Sequence, residues 1–249
     1  MRHFGLIGYP LSHSFSQGFF TEKFQKENIE DAQYVNYPIP TMEAFSSLWE
    51  TDKQLMGLNV TIPYKKEIIP FLQHPSTVVK AILACNCIRK FNGELYGYNT
   101  DVVGFEKSLL PFLKPHHNKA LILGTGGAAA AVEWVLNKLN IQYHLVSRTA
   151  SEHSLRYDQL TQEIVTSHTL LINTSPLGMY PNVQEAPALP YEAITAKHHL
   201  FDLIYNPGET LFLTNGKAQG ATIQNGLAML HIQAEESWKI WNATTPLVQ

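Results

Sequence analysis

Lys119-Ala120-Leu121-Ile122-Leu123-Gly124-Thr125-Gly126-Gly127-Ala128-Ala129-Ala130-Ala131 is the stretch around which the chain is organised. Its apolar first half reads as a short strand, and its alanine-rich end reads as a helix start. Between them, Gly124 and Gly126 let the backbone take unusual dihedrals and come close to a ligand. The first amides of the following helix, from Gly127 and Ala128 onward, then face an anion such as a pyrophosphate. The pattern is G-x-G-G-A, a variant of the dinucleotide turn and not its full fingerprint; a structural αβ turn uses glycine too.

Downstream, Ile141 to Val146 reads as the next strand and ends in Ser147-Arg148-Thr149. In a nucleotide-binding half, this position meets the adenosine ribose, and an acidic residue there favours a free 2′-hydroxyl. A cation flanked by hydroxyls suits a 2′-phosphate instead, because guanidinium presents a fork of donors. The expected cofactor is therefore NADP, with NAD as the alternative. A solvated Arg148 beside a capping Thr149 is the plainer reading. Thr169 to Asn173 and His199 to Tyr205 are further apolar strands, each closed by a turn. Asn225 to Trp241 reads as a long final helix with Leu227, Leu230, Ala234 and Trp238 on one face and Gln233 among them. A helix returning to the first domain would place Gln233 in a cleft.

Upstream, His3 to Gly8 is a strand, Gln17 to Asn28 a helix and Gln33 to Ile39 a second strand. Met42 to Trp49 has a helical pattern. Gly57 to Ile62 is a third strand, and Lys65 opens a helix reaching about Leu72. Phe91 to Gly97 reads as a hairpin around Asn92-Gly93. Ser14 and Ser16 stand between the first strand and helix, where they either cap the helix or hold an oxygen-rich ligand. Asp101 either caps the helix from Val102 to Leu110 or serves a site. Lys65, Asn86 and Asp101 are polar groups, each near the end of an apolar element, where parallel sheets place ligands. Pro111 to Asn118, rich in proline and histidine, marks a domain boundary.

The whole chain has 249 residues, 45% hydrophobic and 16% charged, with a formal net charge of -3. This is a folded, well-buried composition with no electrostatic case for nucleic acid. No apolar run is long enough for a bilayer, and the N-terminus enters a strand pattern directly. Cys85 and Cys87 would face opposite ways in an extended segment, so a mutual disulfide is not expected. A cytoplasmic, reduced protein fits this usage. No histidine and cysteine cluster has metal-site spacing, so no metal is expected.

Taken together, Gly8-Tyr9-Pro10, His13-Ser14-Phe15-Ser16, Asn59-Val60-Thr61-Ile62-Pro63-Tyr64-Lys65, Asn86 and Tyr98-Asn99-Thr100-Asp101 form one ordered set. The glycine turn, Asn173-Thr174-Ser175-Pro176-Leu177-Gly178-Met179 and Asn225-Gly226-Leu227-Ala228-Met229-Leu230 with Gln233 complete it. In order and spacing, from residue 3 to about residue 238, the chain resembles the shikimate dehydrogenases. The resemblance implies an α/β fold of two domains with an active site in the cleft between them. Residues 1–110 would form the substrate domain, with the helix of residues 225–249 packing back on it. Residues 111–224 would form a Rossmann-like cofactor domain. By resemblance, Ser14 and Ser16 hold the substrate carboxylate, while Thr61, Asn86 and Gln233 join Lys65 and Asp101 around the ring hydroxyls. Lys65 and Asp101 are the implied catalytic pair. Gly124, Gly126, Gly127, Ala128, Ser147, Arg148, Thr149, Leu203, Tyr205 and Gly226 are the implied cofactor residues.

The implied reaction is reversible NADPH-dependent reduction of 3-dehydroshikimate to shikimate, toward chorismate and aromatic amino acids. The implied partner is a small-molecule substrate, with no nucleic acid or membrane, in a monomer or homodimer. A quinate/shikimate dehydrogenase using NAD and a non-catalytic metabolite or dinucleotide sensor are the rival readings. The chain departs from the family pattern at Gln17, Cys87, Ser147 and Glu152, where proline, threonine, asparagine and a second basic residue are usual. Between Thr149 and Leu170 there is room for one helix with short connections. The cofactor domain is thus expected to lack about one helix and one strand.

Overall fold

The computed structural model describes residues 1–11, 15–149 and 154–248. The chain divides into two compact units, Met1–Thr100 with Gln233–Gln249, and Asp101–Ile232. Both are α/β.

The first unit runs β1 (Arg2–Gly8), α1 (Phe15–Lys26), β2 (Ala32–Pro38), α2 (Glu43–Thr51), β3 (Leu55–Val60), β4 (His74–Pro75), α3 (Thr77–Ile82), β5 (Cys87–Phe91) and β6 (Glu94–Tyr98). Its sheet order is β2-β1-β3-β5-β6-β4. β1 lies parallel to β2 and β3, whereas β5 runs antiparallel to both β3 and β6. The β5–β6 hairpin turns on Asn92 and Gly93, both with positive φ, as its Asn-Gly pair predicts. Residues 62–68 form consecutive turns that end in a 3₁₀ turn, Ile69–Phe71. The helix expected from Lys65 is therefore absent; Pro70, at its middle, cannot supply a helical N–H.

The second unit contains α4 (Thr100–Leu109, from its second residue), β7 (Lys119–Leu123), α5 (Gly127–Lys138), β8 (Gln142–Ser147), β9 (Ser154–Arg156), α6 (Gln162–Ser167), β10 (Leu170–Asn173), β11 (His199–Asp202), α7 (Leu211–Ala218) and β12 (Thr222–Gln224). The strand order is β12-β11-β10-β7-β8-β9, with every pairing parallel. Counted from β7, this is the doubly wound order of dinucleotide-binding folds. The strand expected to be missing is present as β9, only three residues long. Six positions separate β8 from β9 in the sequence. Leu121, Leu123, Val146, Leu171 and Leu200 are buried in the core of this sheet.

The unit boundaries differ from those expected at 110/111 and 224/225. Phe105 of α4 stacks on Phe201 at 5.1 Å, and Gln224 donates to the Ser108 carbonyl, so α4 packs with the second sheet. The final helix, α8 (Leu227–Asn242), joins the first unit from Gln233 onward. There Trp241 stacks on Phe4 at 4.8 Å and donates to the Ile88 carbonyl, and a side chain at Gly57 would strike its ring. The buried face of α8 is Ala234, Ser237, Ile240 and Trp241, rotated from the expected one. Leu227 is exposed. A serine takes a core position because its hydroxyl is fully hydrogen-bonded there.

Candidate functional site

In the first unit, β3 ends at Val60 and a hydrogen-bonded corner follows. Thr61 donates its N–H to Ile7, Val60 to Asn86 and Asn86 to Tyr98. Cys85 donates its N–H to the Lys65 carbonyl at 2.7 Å, which ties the lysine backbone beside Asn86. Lys65 and Thr61 are half-buried; Asn86 is buried.

Asn86 accepts the Thr100 N–H at 2.6 Å through Oδ1. Its Nδ2 donates to Thr100 Oγ1 at 3.0 Å and to Gln233 Oε1 at 3.2 Å. The network continues inward. Asn59 Nδ2 donates to the Asn86 carbonyl and to Ser237 Oγ, and Asn59 Oδ1 accepts the Tyr34 hydroxyl. Ser16 also bonds the Tyr34 hydroxyl, and burial pushes that phenol upward, so it stays a donor. Burial likewise raises the Cys87 thiol, which bonds with Ser237. Neither Cys85 nor Cys87 is in a disulfide.

In the second unit, Gly124 ends β7 with φ of +126°, and a Cβ there would lie 2.6 Å from Thr174 Oγ1. Fold alone demands this glycine. Gly126 and Gly127 are different. Neither has a positive φ, and a Cβ on either would meet nothing within 4 Å. Among the described residues, no side chain caps the N-terminus of α5. Gly126, at its N-cap, lines a cavity of about 600 Å³. Gly124, Thr125 and Gly126 line one part, Val146, Ser147, Arg148, Thr149 and Tyr157 another, and Thr174 to Leu177 a third. Glycine without a steric reason, a helix N-terminus and an arginine on the wall fit a dinucleotide phosphate.

Sequence-predicted residues thus fall into two groups. Asn86, Gln233 and, through Tyr34, Ser16 are joined in the first unit, with Thr61 and Lys65 at its corner. Ser14 lies outside the described residues, as does Glu152. Asp101 is the second residue of α4, inside its first turn, so the expected capping place falls earlier in the chain. Gly124, Gly126, Ser147, Arg148 and Thr149 share the cavity wall, while Gly127 and Ala128 begin α5. Leu203, Tyr205 and Gly226 lie outside that lining. Leu203 donates its N–H to the Asn173 carbonyl, and Gly226 passes so close that a Cβ would sit 2.1 Å from the Leu203 carbonyl.

Residue-by-residue reading missed Tyr34, Asn59, Thr100 and Ser237 as network members and Tyr157 as a cavity residue. Asn59 carried a signal, being polar inside an otherwise apolar strand. Ser237 carried one too, at helical spacing between Ala234 and Trp241.

Residues 6–88 match the model of the shikimate dehydrogenase substrate binding domain. A shikimate dehydrogenase (NADP(+)) of Carboxydothermus hydrogenoformans is 35% identical over 98% of this chain and 93% of its own length. One from Methanococcus vannielii is 34% identical over 97% and 92%. The chain belongs to the shikimate dehydrogenase family. The chorismate mutase/shikimate 5-dehydrogenase fusion protein of Clostridium acetobutylicum superposes with a TM-score of 0.86 at 36% identity, covering 97% of this chain and 91% of that one. Thermus thermophilus shikimate 5-dehydrogenase in complex with NADP(H) and shikimate gives a TM-score of 0.86 at 28% identity, with 99% and 95% covered. The family reaction is an oxidoreduction in the shikimate pathway, with a nicotinamide dinucleotide as cofactor. Among the described residues, no helix is long and apolar enough to cross a membrane, and no group of three or more metal-ligating side chains gathers.

Proposed function

We propose that this shikimate dehydrogenase reduces 3-dehydroshikimate to shikimate reversibly, with NADPH as the preferred cofactor. The observation that carries the reading is the half-buried meeting of Asn86 with Gln233, 147 positions apart, beside the Lys65 corner. A ring bearing several hydroxyls needs such a fixed set of amide and hydroxyl groups, because each unpaired polar group in a closed site is costly. Ser14 and Ser16 hold the substrate carboxylate. Thr61, Asn86 and Gln233 address the ring hydroxyls.

NADPH, when bound, supplies hydride to the ring carbonyl carbon. The carbonyl oxygen then carries developing negative charge and must gain a proton. Lys65 provides that proton in the reductive direction and receives it in the oxidative one, and Asp101 supplies the compensating negative charge. Gly124, Gly126, Gly127 and Ala128 present backbone to the pyrophosphate. Arg148, with Ser147 and Thr149, receives the 2′-phosphate; a guanidinium there favours NADP over NAD. Leu203, Tyr205 and Gly226 complete the cofactor side. The protein acts as a monomer or homodimer in the cytoplasm.

The deciding experiment follows absorbance at 340 nm with shikimate and, separately, NADP⁺ and NAD⁺, repeated with quinate. Turnover confined to shikimate with NADP⁺ supports the proposal. Comparable turnover with NAD⁺ or quinate replaces it with the broader-specificity reading. A folded protein with no turnover in any combination points to the sensor reading.

A further inference from the structure

The donors and acceptors in the first-unit network assign themselves, because backbone groups anchor them. The Thr100 N–H can only donate, so the Asn86 group facing it is the oxygen. Asn86 therefore turns Nδ2 toward Gln233, and the group it meets there must accept. Gln233 thus holds Oε1 inward and its NH₂ outward. A second anchor lies deeper. The Asn86 carbonyl can only accept, so Asn59 turns Nδ2 toward it and toward Ser237 Oγ at 2.8 Å. Ser237 accepts from Asn59 and gives its single proton to the Gln233 carbonyl, which can only accept, at 3.0 Å, one helical turn back. Thr100 Oγ1 lies 3.4 Å from both Ser237 Oγ and Gln233 Oε1. Ser237 and Thr100 are completely buried, so neither presents its hydroxyl to solvent.

We infer that Ser237 is a positioning residue: with Asn59 it fixes the place of Gln233 on α8, so that the Gln233 carboxamide presents NH₂ and recognises an acceptor oxygen of the ligand. The inference rests on the proposed role of Gln233 in substrate binding. It adds the polarity of that contact, which Asn86 sets, and the group that holds the helical turn carrying Gln233. Ser237 is the only polar side chain on the buried face of α8, and its two strongest bonds tie that helix to β3 and to Gln233 itself. Without the hydroxyl, Asn59 keeps a buried N–H with no partner, and the Gln233 turn loses its back-bond. The carboxamide keeps facing Asn86 Nδ2 but sits on a turn held less firmly, and withdraws from the ligand.

The test is a double-mutant cycle with Ser237→Ala and Gln233→Ala, read as the dissociation constant of shikimate by tryptophan fluorescence and as kcat and KM. Ser237→Ala is expected to weaken shikimate binding about 5- to 10-fold, with NADPH binding within about twofold of wild type. In the Gln233→Ala background the same change is expected to shift shikimate binding less than about twofold, because the group it positions is gone. Ser237→Thr, which keeps the hydroxyl, is expected to recover most of the loss; Ser237→Cys replaces the alanine variant in the cycle if alanine fails to fold. An undiminished effect of Ser237→Ala in the Gln233→Ala background overturns the inference while leaving the proposed function standing. Wild-type protein that binds no shikimate, or Gln233→Ala that binds it normally, overturns the proposed role of Gln233 and the inference with it.

Discussion

Lys65 and Arg148 are both lysine-or-arginine cations near strand ends, yet their expected consequences separate cleanly. In the proposed reaction, Lys65 acts on charge that exists only as the reaction proceeds. Lys65→Ala is therefore expected to lower kcat at least about 100-fold while the shikimate dissociation constant stays within about threefold. Steady-state kinetics alongside equilibrium binding checks this, and a near-normal kcat would remove Lys65 from proton transfer. Arg148, on the cavity wall with Ser147 and Thr149, is proposed to act on ground-state binding of one phosphate. Arg148→Ala is expected to weaken NADPH about 10- to 100-fold and NADH less than about threefold. Isothermal titration with each cofactor reads the ratio; equal losses for both would mean Arg148 does not read the ribose.

At the scale of an element, the β7–turn–α5 unit contains glycines with different reasons for being glycine. Gly124 has a backbone that L-residues avoid and a neighbour, Thr174 Oγ1, in the way. Gly124→Ala is expected to cost about 1–3 kcal/mol of stability. Gly127 has neither constraint. Gly127→Val is expected to leave stability within about 1 kcal/mol, since valine is no worse than glycine in a helix. The same change puts two methyl groups at the amides of α5, and NADPH binding is expected to fall at least about 10-fold. Thermal melts and cofactor titration on the two variants form the test. Normal cofactor binding by Gly127→Val would mean that the open space beside Gly127 is not a phosphate site.

Across the whole molecule, acid stability is set by opposing buried groups in the second unit. His199 lies between Thr222 and Gln224, and burial lowers it from 6.5 to about 4. Its unfolded form binds a proton first, so the stability it permits is present above about pH 6.5 and is lost as pH falls toward 4, on the order of 3 kcal/mol. Asp202 has the opposite sign. Burial outweighs its bonds from Thr210, Ile204 and Asn173 and raises it to about 6. Its folded form takes up a proton first, so acid relieves a cost of comparable size between about pH 6 and 4. Burial also lowers His117 and His168, which tips the balance toward loss. The melting temperature is expected to fall between pH 6.5 and 5, and Asp202→Asn to steepen that fall by removing the compensating proton. A shallower fall in the variant would contradict the assignment.

Local pattern was enough for much of this. Apolar runs of four to six residues, closed by glycine or Asn-Gly turns, specify strands and a hairpin without reference to anything distant. Gly124 to Ala131 marks the glycine turn between β7 and α5 because a strand, a tight turn and a helix start are all local events. The run of turns in place of a helix after Lys65 was legible in principle from Pro70. Three matters belonged to tertiary structure alone. Three residues from Ser154 to Arg156 become β9 only because β8 offers an open edge to pair with. The buried face of α8 follows the aromatic cluster of Phe4, Phe20 and Tyr34 and not the helix's own apolar count. The chain of protons from Tyr34 through Asn59 and Ser237 to Gln233 joins residues far apart in sequence, and a hydrogen bond has no periodicity to betray it before the fold closes.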